Sequence, residues 1–203
     1  MTAQPKENNK MTPAEYLAME RNALDIKHEF FDGEIFAMVG ARINHIRINA
    51  NLTRELGNRF KNNKSSCEVL PNDMRVKIEA GYVYPDITIL CEDPEFEGNE
   101  FDTLINPVVI IEILSKSTEA FDRGKKFNFY QAIPTLQEYV LVSQDEYRVE
   151  QFTRSDEDKW EYRSYKNTEQ VLKLKLKSVD CELPLSEIYW DVKFESNSTS
   201  HKN

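Results

Sequence analysis

The sequence predicts one α/β domain built around a mixed β-sheet. Three observations carry that reading. The runs 85–90, 108–114 and 137–143 are almost continuously apolar, the pattern of strands covered on both faces. A long helix is predicted from Asn44 to Lys61, where Ile48, Leu52 and Leu56 recur every four residues. Helical and strand patterns interleave without an internal repeat or a linker, so they belong to one layered unit. A chain of 203 residues, 40% of them apolar, is large enough to enclose such a core.

The elements follow in order. Residues 1–10 are polar and read as a disordered tail, as do 195–203, leaving a domain over 11–194. Thr12, Pro13 and Glu15 open a helix over 11–20. Two apolar runs around Asp32-Gly33 make a hairpin over 28–39. On the long helix, Arg47, Asn51, Arg54, Asn58 and Lys61 are spaced four, three, four and three apart, forming one polar, basic stripe. Such a stripe is either a solvated face or a groove facing phosphates, with Arg47, Arg54 and Lys61 as DNA contacts.

Strands are predicted over 67–71 and 73–79, the second alternating Met74, Val76 and Ile78 onto one face. After strands 85–90 and 108–114, a helix is expected from Arg123 to Ala132, with Asp122 as N-cap and Pro134 as terminator. Beyond strand 137–143, an added antiparallel hairpin spans 147–154 and 159–165. Residues 171–178 alternate as a one-sided strand, and 183–189 read as a terminal helical turn.

Composition narrows the function. No run approaches the ~20 apolar residues of a membrane span, and the first ten residues lack a secretion signal, so a cytoplasmic protein is expected. Cys67, Cys91 and Cys181 are widely spaced, without a CxxC pair, and read as buried or idle thiols. The formal net charge of −9 opposes nucleic-acid binding, but its distribution is uneven. Residues 91–102 hold six acids and no base, whereas 42–64 is net basic. The order GxxxxGK is absent, as is a GxSxG elbow, which removes the common nucleotide-hydrolase and serine-hydrolase readings.

Three charges sit in unlikely places. Asp86 opens one buried strand, Glu112 interrupts another, and Lys126 lies in a helix that packs Phe127 and Tyr130. Glu112 shares its strand face with Ile110 and Leu114. A carboxylate there costs several kcal/mol unless it is paired or bound to a cation. The plain reading is a buried ion pair that gives rigidity only. The chemical reading pairs Asp86 with Glu112 around a hard divalent ion such as Mg²⁺, which takes oxygen ligands and keeps several waters. That ion would polarise a phosphate and lower the pKa of a bound water, and Lys126 would orient that water or offset charge at the phosphorus.

The segments 28–38, 67–78, 84–90, 108–152 and 183–189 closely resemble the Uma-two family of proposed restriction endonucleases, within the PD-(D/E)XK nuclease-like superfamily. The resemblance spans roughly 11–194. Its most specific parts are Pro85-Asp86, Glu112 followed by Ser115 and Ser117, and the run Phe121 to Phe127 followed by Tyr130. It implies a restriction-endonuclease-like fold and metal-dependent hydrolysis of DNA, with Mg²⁺ or Mn²⁺ as cofactor and a homodimer as the working form.

The resemblance also implies roles. Asp86 matches the aspartate of "PD", Glu112 matches the acid of "ExK", and the carbonyl of Ile113 would be a further metal ligand. The lysine of that motif should stand two residues after Glu112, where this chain has Leu114. Some members of the fold carry the basic group on the neighbouring helix. Lys126 is the candidate for that relocated lysine, with Lys125 second. For a fourth acid, Glu34 on the hairpin is preferred to Glu55 on the long helix. His45 is either a satisfied core-edge histidine or a base. A non-catalytic module of the same fold, binding nucleic acid or protein, is the alternative.

Overall fold

The computed structural model describes residues 10–38, 40–156, 159–176 and 180–194. The tails expected at 1–10 and 195–203 therefore lie outside it, apart from Lys10.

Helix α1 (Pro13–Asn22) starts with a complete capping box between Thr12 and Glu15. Strands β1 (His28–Phe31) and β2 (Glu34–Ala37) form the expected hairpin. Asp32 and Gly33 both have positive φ, the requirement of a two-residue turn that matches strand twist. Helix α2 (Ile43–Asn62) follows, then β3 (Glu68–Pro71), β4 (Arg75–Ile78), β5 (Gly81–Val83), β6 (Ile87–Leu90), β7 (Thr103–Leu104) and β8 (Val109–Leu114). Strands β5 and β7 were not legible. They have three and two residues, too few for a period to show. Gly81 is required where β5 meets β1, since a Cβ there would lie 2.0 Å from the carbonyl oxygen of Phe30.

The segment expected as one helix with Asp122 at its cap differs. Helix α3 (Glu119–Phe121) runs through a π-helical turn, Asp122–Lys126, into α4 (Phe127–Gln131). Asp122 is thus buried inside the helical segment, and its carbonyl accepts from the Tyr139 hydroxyl at 3.0 Å. A π-turn adds one residue to the helical repeat, which a capping pattern does not reveal. Strands β9 (Glu138–Ser143), β10 (Val149–Asp156), β11 (Lys159–Tyr165), β12 (Val171–Lys175) and β13 (Asp180–Pro184) and helix α5 (Leu185–Ile188) complete the chain.

The central sheet is mixed, as expected, with order β11-β10-β9-β8-β6-β3. β8 and β9 are parallel, while β6 runs antiparallel to β8. The expected hairpin, β10–β11, continues this sheet rather than standing apart. A second sheet has the order β2-β1-β5-β4-β7, and β12 pairs with β13 in a separate ribbon.

Alternation along β8 divides the interior. Val109, Ile111 and Ile113 face Ile48, Leu52, Leu56 and Phe60 of α2 in one core. Ile110 and Leu114 face Tyr130, Tyr139 and the second sheet in another. Glu112 has the parity of the second group, so its side chain enters the layer between the central sheet and α3–α4.

One expectation about cysteine is overturned. Cys67 and Cys91 form a disulfide, and only Cys181 is a buried thiol. The antiparallel register pairs Glu68 with Leu90, so the next residues outward, Cys67 and Cys91, stand opposite one another. No spacing in the sequence announces that register.

Candidate active site

Asp86 and Glu112 are brought together by the β6–β8 pairing, in which Ile87 stands opposite Ile111. The N–H of Ile113 donates to Asp86 Oδ2 at 2.8 Å, and the N–H of Asp86 approaches Glu112 Oε2 at 3.5 Å. Each carboxylate is thus anchored on the other's strand. The Asp86 side chain keeps 19% exposure, against 6% for Glu112, so the pair opens towards solvent at Asp86.

Lys126 meets Glu112 from the helical segment. Its Nζ lies 2.9 Å from Glu112 Oε1, 3.1 Å from Glu29 Oε1 and 3.8 Å from Asp122 Oδ1. Tyr130, one turn further along, donates its hydroxyl to the same Glu112 oxygen at 2.7 Å. The ammonium beside Glu112 thus comes from the neighbouring helix and not from the position two residues after it. Leu114 instead packs into the apolar layer.

The electrostatics follow from burial and crowding. Burial pushes Glu112 up to about 8; Lys126 pulls it down, while Asp122, Asp86 and Glu29 push it further up. Burial works against the Lys126 ammonium, but Glu112, Glu29 and Asp122 outweigh it and hold its pKa above the ordinary lysine value. Burial likewise raises Asp122, against the pull of Lys126 and the Thr118 hydroxyl. The result is a lysine held charged beside Glu112 and Asp122, two carboxyls whose burial resists ionisation.

This makes a pH prediction for metal-free protein. Glu112 holds its proton to about pH 8 when folded, against an ordinary value of 4.5. Its stabilising contribution is whole below the ordinary value and is lost as pH rises to about 8. Urea unfolding in chelator should show stability falling across that window, with a shallower fall in Glu112→Gln. Equal slopes for the two proteins would remove Glu112 as the titrating group.

The other candidates are sorted by position. His45, near the start of α2, places Nε2 3.2 Å from Asp86 Oδ2. Asn49, one turn on, donates to the Asp86 carbonyl at 3.1 Å. Lys125 points outward, 3.3 Å from Asp32 and 56% exposed. Glu34 is exposed on β2, and Glu55 is tied to Arg54 and Arg59. The acid that does reach Lys126 is Glu29, which the sequence reading passed over. Parity on β1 marks it: Glu29 shares a face with Phe31, and Phe31 packs in the layer that holds Ile110 and Leu114.

The basic stripe does not flank this cluster. At about 100° per residue, Arg47, Arg54 and Lys61 lie roughly 200°, 180° and 160° around α2 from His45. Asn51 is buried, donating to the carbonyls of Ile188 and Trp190. Arg47 approaches Asp191 at 3.8 Å, and Arg54 stacks over Trp190 at 5.4 Å. Part of the predicted groove is therefore filled by the chain's own C-terminal segment. Lys61 is exposed.

The donor set suits a hard cation that retains waters. Asp86 and Glu112 supply two carboxylates from neighbouring strands, and Mg²⁺ is commonly held by one or two carboxylates plus substrate oxygens. Among the described residues, no group of three or more His, Cys, Asp and Glu is arranged to hold a metal alone. The residues therefore fit an ion shared with water and substrate, not an all-protein cage.

Residues 13–186 match the model of a family described as Uma2, "Putative restriction endonuclease". The chain belongs to the Uma2 family. Two proteins of Synechocystis sp. (strain PCC 6803) are similar to this Uma2 chain. The "Uncharacterized protein sll1609" is 40% identical over 156 residues, covering 74% of this chain and 84% of that protein. The "Uncharacterized protein slr1290" is 33% identical over 187 residues, covering 91% and 94%. A crystal structure titled as a putative nuclease belonging to DUF820, from Anabaena variabilis, shares the fold at a TM-score of 0.73. Its identity is 17%, with 88% of this chain and 97% of that chain covered.

Proposed function

We propose that this Uma2 protein is a metal-dependent endonuclease that hydrolyses DNA phosphodiester bonds, acting in the cytoplasm as a homodimer. The observation that carries the reading is Lys126 Nζ at 2.9 Å from Glu112 Oε1, beside the strand that bears Asp86. Asp86, Glu112 and the Ile113 carbonyl would hold Mg²⁺, or Mn²⁺ in its place. When bound, the ion would lower the pKa of a water and polarise the scissile phosphate.

The chain's own residues do the rest. Lys126 stays charged, so its task is electrostatic: it offsets negative charge growing at phosphorus and does not take a proton. Glu29 and Asp122 hold that ammonium in place. Tyr130 fixes the Glu112 carboxylate by its hydroxyl. The Ile113 N–H fixes Asp86, and His45 borders its exposed side. Contacts from Arg47, Arg54 and Lys61 would serve DNA on the far side of α2, away from the bond cut.

The test is nicking of supercoiled plasmid with Mg²⁺ or Mn²⁺, with chelator as control. Metal-dependent nicking is expected. Its absence with both ions, in folded protein, would favour a non-catalytic module of the same fold. One observation speaks for that second reading: Glu112 Oε1 is already engaged by Lys126 and Tyr130. A paired comparison places the fourth acid. Glu29→Gln should lower cleavage about a hundredfold, the scale for groups that orient a metal site. Glu34→Gln should leave it within twofold, about the scale expected of an exposed change. The reverse pattern would return the role to Glu34.

A further inference from the structure

We propose that β2 is the seam of the homodimer, pairing antiparallel with β2 of a second copy. This gives a surface to the homodimer proposed above and rests on that pairing, though on none of the nuclease chemistry.

The five-stranded sheet ends at β2, which among the described residues pairs only with β1. Its other edge presents unpaired N–H and C=O groups, a template for another strand. All four β2 residues are exposed, and two of them are large and apolar: Ile35 at 42% and Phe36 at 47%.

The remaining edges are defended in the ways proteins usually defend them. β3, at one end of the central sheet, carries Glu68 and Pro71. β11, at the other end, alternates Lys159, Glu161 and Arg163 along its length. β7 has two residues, both buried. β2 carries one charge, Glu34, at its start, and neither a proline nor a charge after it. An edge left apolar while its counterparts are charged or blocked is one that is covered.

Register indicates what covers it. A strand pairing antiparallel with its own copy obeys two-fold symmetry, so one patch serves both subunits. Glu34 and Phe36 bond to β1, so Ile35 and Ala37 carry the outward N–H and C=O groups. With the axis through Phe36, Phe36 faces the copy's Phe36, Ile35 the copy's Ala37, and Glu34 the copy's Met38. No like charges oppose one another, and Ile35, Phe36 and Ala37 each meet an apolar side chain. The chain's own N-terminal segment reaches this turn, since the Met11 N–H donates to the Gly33 carbonyl at 3.0 Å. The residues before it, 1–9, are mostly polar and offer no apolar strand to lie along the edge.

A stable interface buries about 800 Å² per partner, more than four strand residues supply. Met38, Ile43 and Ile46 follow β2 in the chain and are 38%, 59% and 52% exposed, apolar surface able to widen the seam.

Sedimentation and chemical trapping test this without metal or DNA. Wild-type protein at micromolar concentration should run at twice the 23.8 kDa of one chain. Ile35→Lys puts two ammonium groups beside the axis and should weaken the dimer roughly a hundredfold, with unchanged thermal unfolding of the monomer. Glu34→Cys/Met38→Cys, oxidised, should give a covalent dimer on a non-reducing gel. A monomeric wild type, a dimer that tolerates Ile35→Lys, or no covalent dimer from the cysteine pair would overturn the proposal. A dimer that persists without nuclease activity leaves the seam standing and removes the enzyme reading. Nicking by a monomer does the opposite.

Discussion

Lys126→Met is expected to lose metal-dependent cleavage by about a thousandfold and to lower stability by about 3–5 kcal/mol. The first effect follows from removing the cation within hydrogen-bond reach of Glu112. The second follows from what is left behind. Lys126 is the shared counter-ion of Glu112, Glu29 and Asp122, all close to its Nζ in a layer sealed by Tyr130 and Tyr139. Methionine fills the stem's volume but pairs with none of them. Glu112 and Asp122 can relieve the strain by taking protons, since burial already raises both. The loss of stability should therefore be smaller at pH 5.5 than at pH 8.5. Urea unfolding at both values, with the nicking assay, measures all three effects. Full cleavage by Lys126→Met would end the argument that the missing lysine has moved to this helix. A stability loss equal at both pH values would show that the acids around it do not titrate together.

The second large effect is expected from the isosteric pair Asp86→Asn and Glu112→Gln. Each keeps shape and an acceptor oxygen but removes one charge from a cation site. Loss of several kcal/mol of electrostatic stabilisation corresponds to about a thousandfold in rate. The stability outcome should be opposite in kind to that of Lys126→Met. Glu112→Gln leaves Tyr130 and Lys126 an amide oxygen to donate to and removes a carboxyl that burial disfavours. It should therefore unfold no more easily than wild type near pH 8. Activity lost with stability kept identifies a group retained for chemistry. Activity kept would mean that Glu112 is a structural ion pair, the plainer of the two readings its strand allowed. Titration of Mg²⁺ or Mn²⁺ against the two variants adds a readout besides cleavage, since weakened ion binding is expected in both.

Lys126 and Glu29 show how far the chain could be read before it was folded. Lys126 was reachable because Leu114 occupies the usual lysine position and the resemblance allows the basic group to shift. Glu29 was reachable by parity with Phe31, yet the choice lay between Glu34 and Glu55, and the family-like segment favoured Glu34. What decides for Glu29 is which face of β1 turns inward, and that is set by β5 and the helical segment. The stripe on α2 could not be resolved locally, for a related reason. Its spacing is genuine, but Asn51 is buried beneath residues 188–190, which lie more than 130 positions away in the chain. Helical periodicity reports that a face is polar. It does not report whether water, DNA or the chain's own carbonyls satisfy it.

The π-turn and the disulfide were illegible for a different reason. Asp122 looks like an N-cap because aspartate commonly serves there. Its place inside the helical segment depends on Tyr139, from the neighbouring β9, taking its carbonyl. The Cys67–Cys91 bond depends on the β3–β6 register, a long-range pairing with no mark in either segment.

By itself, then, the sequence determined the layered α/β class, the buried strands, the hairpin, the helix α2 and the anomalous charges Asp86, Glu112 and Lys126. These follow from local rules, because side-chain alternation, helical periodicity and the cost of burying a charge act within a few residues. Tertiary structure alone decided that these charges meet, that Glu29 and Asp122 join them, and that the α2 stripe turns away. Those outcomes depend on which strands pair and in which register. Register is fixed by the summed packing of two cores, and no single segment contains that sum.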